Sequence, residues 1–67
     1  MSTKIYELVR SAWRKMCEID DLLREVIREY RKMGEYERED EVFNVLLRLH
    51  RVMGALLLWA QIRGIYV

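Results

Sequence analysis

Ile5, Val9, Ala12, Met16, Ile19, Leu23, Val26, Tyr30 and Met33 recur along the chain at alternating steps of four and three. No charged residue interrupts this stripe, and no Pro or Gly falls between its ends. Such spacing matches a helix with one buried face. It predicts a continuous helix over about residues 3–33, with Ser2 or Thr3 accepting a hydrogen bond from an early backbone N–H. Asp20 and Asp21 are good helix starters, yet the apolar phase crosses them without a slip, so no break is predicted. One flank of the stripe holds Tyr6, Trp13, Asp20 and Ile27; the other holds Leu8, Lys15, Leu22 and Glu29.

Arg28, Arg31 and Lys32 crowd the end of this helix, where cations favour the negative pole, and Gly34 suits a left-handed cap. The acidic run over residues 35–41 then suits the positive end of a second helix. Val42, Leu46, Leu49, Met53, Leu56 and Ala60 repeat the four-three spacing and predict that helix over about residues 36–65. A link this short makes the helices antiparallel neighbours, with facing residue numbers adding to about 69. That register sets Trp13 by Leu57, Asp20 by His50 and Leu8 near Trp59. The fold class expected is all-α: a single helical-hairpin domain over residues 1–67.

The second helix carries more apolar surface than one neighbour can cover. After Val52 its outward columns hold Ala55, Leu58, Ile62 and Ile65, and no acid occurs from there to the end. Burying a large apolar side chain contributes roughly 1.5–3 kcal/mol. The expected answer is a homodimer in which two hairpins form an antiparallel four-helix bundle, with Trp13, Leu57, Leu58, Trp59, Ile62 and Ile65 as interface residues. Charge favours opposite ends for the two turns. Residues 1–17 with 51–67 hold Lys4, Arg10, Arg14, Lys15, Arg51 and Arg63 against Glu7, a net of +5; residues 18–50 hold six basic and ten acidic residues, a net of −4.

Composition narrows the function classes. One cysteine and one histidine among 67 residues exclude an intrachain disulfide and a usual four-ligand zinc site. Oligomerisation remains as the means of stabilising so small a core. The net charge of +1 gives no bulk pull toward nucleic acid. Asn and Gln occur once each beside abundant Arg and Glu, a balance that leans toward a thermophile. The polar, then amphipathic start has no signal-peptide pattern, and the lone Cys17 fits a reducing compartment, so a cytoplasmic location is expected. Arg63 interrupts the apolar second helix, and a membrane partner is not expected.

Candidate chemistry is sparse. Asp20 and His50 are expected as a buried polar pair that fixes register; the same pair has the elements of acid–base work but no nucleophile beside it. Cys17 lies between Arg10, Arg14 and Arg24, a setting that can activate a thiol, but the expectation is an inert cysteine. Arg10, Arg14, Arg24, Arg28 and Arg31 form a stripe that fits phosphates, weakened by interleaved Glu7, Glu18, Asp21 and Glu25. The sequence therefore reads as a non-catalytic protein-interaction or adaptor module with no cofactor and no metal. The alternative is an RNA- or DNA-binding regulator using the arginine stripe. A further alternative is an engineered bundle without a natural role, which the lone cysteine, scattered Met and irregular surface oppose.

Overall fold

The computed structural model describes residues 3–67. Two helices, α1 (Thr3–Lys32) and α2 (Tyr36–Ile62), pack against each other as an antiparallel hairpin. Helix α1 runs unbroken through Asp20 and Asp21, because its apolar phase holds there. The expected cap residue Ser2 lies outside the described residues, and Thr3 is already helical.

The turn is built by a glycine. Gly34 has φ +74°, the Glu35 N–H donates to the Tyr30 carbonyl (2.9 Å), and the Gly34 N–H donates to the Arg31 carbonyl (3.1 Å). These are the two bonds of a Schellman cap, which only a residue without Cβ adopts at low cost. Glu35 gives α2 no side-chain cap, but Glu37 and Glu39 lie in its first turn. Arg31 Nε donates to Glu39 Oε1 at 2.6 Å and straps one helix to the other beside the turn.

The same device ends α2, and this corrects the expected boundary at residue 65. Gly64 also has φ +74°, and the Ile65 N–H donates back to the Ala60 carbonyl at 2.8 Å. Helix α2 therefore stops at Ile62, three residues early. Ile65, expected on an outward column and at a dimer interface, folds back and is fully buried within its own chain, as is Ala60. A hydrophobic contact between these two cap positions commonly accompanies the motif. Beyond it, Arg10 Nε donates to the Tyr66 carbonyl at 3.0 Å and holds the tail against α1.

The seam between the helices is narrow. On α2 it comprises Glu39, Val42, Leu46, Leu49, Met53, Leu56 and Ala60, all buried or half-buried, which includes every position of the predicted stripe. On α1 it comprises Tyr6, Val9, Trp13, Met16, Asp20, Leu23, Ile27 and Tyr30. Four of the nine residues of the predicted α1 stripe are thus displaced: Ile5, Ile19, Val26 and Met33 face away from α2 and are exposed, while the flank Tyr6, Trp13, Asp20 and Ile27 turns inward. The cross-helix ties Asp20–His50 and Arg31–Glu39 fix the register, with facing residue numbers adding to 70, and the first is the pairing expected from the sequence.

One layer of two rods makes a poor core. Among the described residues only Ile27, Leu46, Ala60 and Ile65 are buried hydrophobics. The rod measures 49 × 16 × 11 Å with a radius of gyration of 15.0 Å, against about 11 Å for a compact domain of this length. It exposes 5291 Å² at 8.2 kDa, where a compact monomer exposes about 4500 Å². A single layer of two helices therefore leaves most of its large apolar side chains in contact with water.

Gly54 sits in mid-α2, exposed, and a Cβ built there meets nothing within 4 Å. Its column, with Leu47 and Gln61, lies away from Val52 and Ala55. Gly54→Ala is therefore expected to stabilise the chain by about 0.8–1.0 kcal/mol through helix propensity alone. A melting temperature that falls would show that another backbone packs closely there.

Candidate functional site

Seen from the seam, each residue one position earlier is rotated by about 100° around its helix. In an antiparallel pair these preceding residues emerge on the same side of the hairpin. On α1 they are Ile5, Leu8, Ala12, Lys15, Ile19, Leu22, Val26 and Glu29, with Met33 continuing the column; on α2 they are Arg38, Glu41, Val45, Arg48, Val52, Ala55 and Trp59, with Ile62 continuing the column. Every large apolar member of this set is exposed, with Leu22 at 60%, Met33 at 67% and Ile62 at 73%. The result is a largely apolar face running the length of the rod, with a groove of about 550 Å³ near its turn end lined by Leu22, Val26, Tyr30 and Met33 together with the charged Glu25, Arg28 and Glu29. Monomeric soluble proteins rarely expose a contiguous apolar patch larger than a few hundred Å².

The expected interface residues divide. Leu58, Trp59 and Ile62 are exposed, whereas Trp13 and Leu57 are half-buried by the hairpin itself and Ile65 is buried. Arg63 caps the open end of the face: its guanidinium lies 4.5 Å from the Trp59 ring centroid, and its Nη1 donates to the Trp59 carbonyl. Leu58, midway between the seam residues Leu56 and Ala60, points directly away from α1. Of the exposed contributors from α1, sequence reasoning had assigned Ile5, Ile19, Val26 and Met33 to the hairpin seam and Leu8 and Leu22 to its flank.

Asp20 and His50 do meet. His50 Nε2 donates to Asp20 Oδ1 at 2.5 Å, and Arg24 Nε donates to Asp20 Oδ2 at 2.9 Å, so both carboxylate oxygens are engaged. The pair is not buried, contrary to expectation: the Asp20 and His50 side chains retain 17% and 41% of their exposure. A single packed layer leaves water access to the rim of the seam. The two hydrogen bonds, from His50 first and Arg24 second, hold the Asp20 carboxyl below its usual 3.8. No third His, Cys, Asp or Glu joins to form a metal site among the described residues.

That depression has a definite sign in a pH titration. A folded-state pKa below the unfolded one adds stability that is fully present above the unfolded value and is lost as pH falls through the folded value. Melting temperature is expected to fall with acidification below the ordinary carboxylate range, and His50→Ala is expected to lower it at neutral pH and flatten the acid slope. A variant with the parental melting curve at every pH would show the pair contributes nothing.

The arginine stripe is partly consumed by the fold. Arg10 holds the Tyr66 carbonyl, Arg24 holds Asp20 and Arg31 holds Glu39, leaving Arg14 and Arg28 outside these contacts. Cys17, expected on an outward column, is half-buried; with Trp13 and the folded-back Tyr66 it lines a groove of about 690 Å³ on that side.

Helix α2 is long and apolar enough to cross a membrane by length and composition, with a window of mean hydropathy 1.4. Arg48, His50 and Arg51 stand at its middle, where a bilayer charges most for them. Comparison with protein-family models, with curated proteins and with solved structures finds no match to this chain.

Proposed function

We propose that the chain is a non-catalytic interaction module that works by assembling with itself. Two hairpins close a four-helix bundle over the face formed by Ile5, Leu8, Ile19, Leu22, Val26 and Met33 with Val45, Val52, Trp59 and Ile62. The observation that carries this reading is that face: a largely apolar strip outside the hairpin seam, interrupted by Lys15, Glu29 and Arg48, on a rod too thin to shelter it. A face of this shape suits a like rod better than a small ligand, since it is long and shallow.

Charge supports one orientation. The open end of the hairpin carries the net +5 and the turn end the net −4. A second copy laid with its turn over the first copy's open end gains attraction at both ends; the same-end arrangement places like against like. Between exposed charges salt screens these terms over about 10 Å at 0.1 M, so they select orientation while apolar burial drives association.

Sedimentation equilibrium tests the reading. The expected result is a species of twice the 8.2 kDa chain mass at micromolar concentration, little weakened by salt. A folded species of single mass at the highest soluble concentration would overturn it.

A further inference from the structure

Two charges stand in the otherwise apolar outward stripe of α1, Lys15 and Glu29. They share one column with Leu22, seven residues from each, and the leucine lies midway. Both charged side chains sit on exposed residues. Glu29 meets Lys32 at 3.2 Å, a surface pair in which both side chains are more than two-thirds exposed; no ion pair among the described residues engages Lys15.

We infer that Lys15 and Glu29 set the register of the proposed dimer: the two-fold axis passes at Leu22, and Lys15 of each copy pairs with Glu29 of the other. The inference rests on the self-association reading and adds to it the position of the axis. When the two turns point in opposite directions, α1 lies along α1 of the second copy and runs against it. Leu22 then faces its own copy, and the two charged positions exchange partners symmetrically. Neighbouring positions agree with that axis. Ile19 meets Val26 of the second copy, and the small Ala12 meets the long, exposed Met33. At the overhang Leu8 reaches the exposed Tyr36 of the opposite turn.

Shifting the register by one heptad removes this match, because Lys15 then faces Leu22 and Glu29 faces Leu8, two charges set against leucines. Pointing the turns the same way is worse, since α1 then lies along α2 of the second copy and Glu29 falls beside Glu41. The chosen register places one unfavourable pair: Arg48, level with Leu22 on α2, faces its own copy. Arg48 is exposed, and its long side chain lets the guanidinium reach water at the edge of the face, where the repulsion is screened.

Charge reversal tests the pairing. Lys15→Glu and Glu29→Lys are each expected to weaken dimerisation about tenfold at low salt, since each turns two attractions into two repulsions. The double variant restores both pairs with the signs exchanged and is expected to recover affinity to within about threefold of the parent. A double variant as weak as the two single losses combined overturns the register and leaves the dimer standing. A parent that sediments as a single chain overturns the association reading itself. Leu22→Cys in a Cys17→Ser background supplies an independent readout: air oxidation is expected to give a disulfide-linked dimer, and Leu8→Cys in the same background is expected to remain a thiol. Efficient cross-linking at Leu8 and none at Leu22 would move the axis elsewhere.

Discussion

Leu46→Ala is expected to remove most of the helical signal at micromolar concentration. Leu46 retains 2% of its exposure and sits at the centre of the seam between the helices. Truncating a buried leucine to alanine costs about 2–5 kcal/mol through lost transfer energy and the cavity left behind. A single core in a chain this short supplies about 3–5 kcal/mol in total, so one substitution consumes most of it. The neighbours cannot collapse into the space cheaply, because each large seam residue already spans the one available layer. Far-ultraviolet circular dichroism during thermal melting checks the expectation. A fall in melting temperature of less than about 5 °C, worth roughly 1 kcal/mol at this size, would place Leu46 outside the core.

Helix α2 and the turn were legible in the sequence for local reasons. Every predicted seam position on α2 is covered, because the columns beside that seam change from polar to apolar along the helix and leave one consistent inward phase. Gly34 after a basic last turn marked the hairpin end directly. The phase of α1 was less legible. Ile5, Ile19 and Val26 and their neighbours Tyr6, Trp13 and Ile27 form two adjacent apolar columns, and hydrophobicity alone does not say which meets α2. The deciding signal was Asp20: once it is matched with His50, the column that holds it must turn toward α2, and the one before it must turn out. Ile65 was misplaced because the apolar spacing was extended through Gly64, although that glycine stands after its helix just as Gly34 does. Backbone conformation, rather than periodicity, set the end.

The candidate site was half legible for the same reason. An excess of apolar surface follows from composition and spacing, and Trp59 and Ile62 follow from their columns. Which α1 residues join them depends on the phase chosen by the seam. The charge layout needed only the sequence, since net charge over each end is insensitive to side-chain rotation. The partners of the arginine stripe were not legible, because long side chains reach groups that spacing does not reveal: Arg10 finds the tail carbonyl of Tyr66 and Arg31 finds Glu39 across the turn.

Ile19→Glu is expected to dissociate the proposed dimer while leaving the hairpin seam chemically intact. Ile19 is 46% exposed in the single chain, pointing away from α2, so the substitution removes little from the seam, and glutamate is a good helix former. In the assembled bundle it would lie against the second copy. Losing about 1.5–3 kcal/mol of apolar burial in each of two chains weakens association by roughly a hundred- to ten-thousandfold, before the added cost of taking a carboxylate out of water. The two variants therefore separate by concentration dependence. Leu46→Ala lowers the intrinsic stability of each hairpin. Ile19→Glu should have near-parental helicity when concentrated and lose it on dilution, because the hairpin alone is marginal. The measurement is a dilution series followed by circular dichroism beside sedimentation of the same samples. If Ile19→Glu retains the parental dissociation constant, the face opposite the seam is not where the chains meet, and the outward strip must be reassigned.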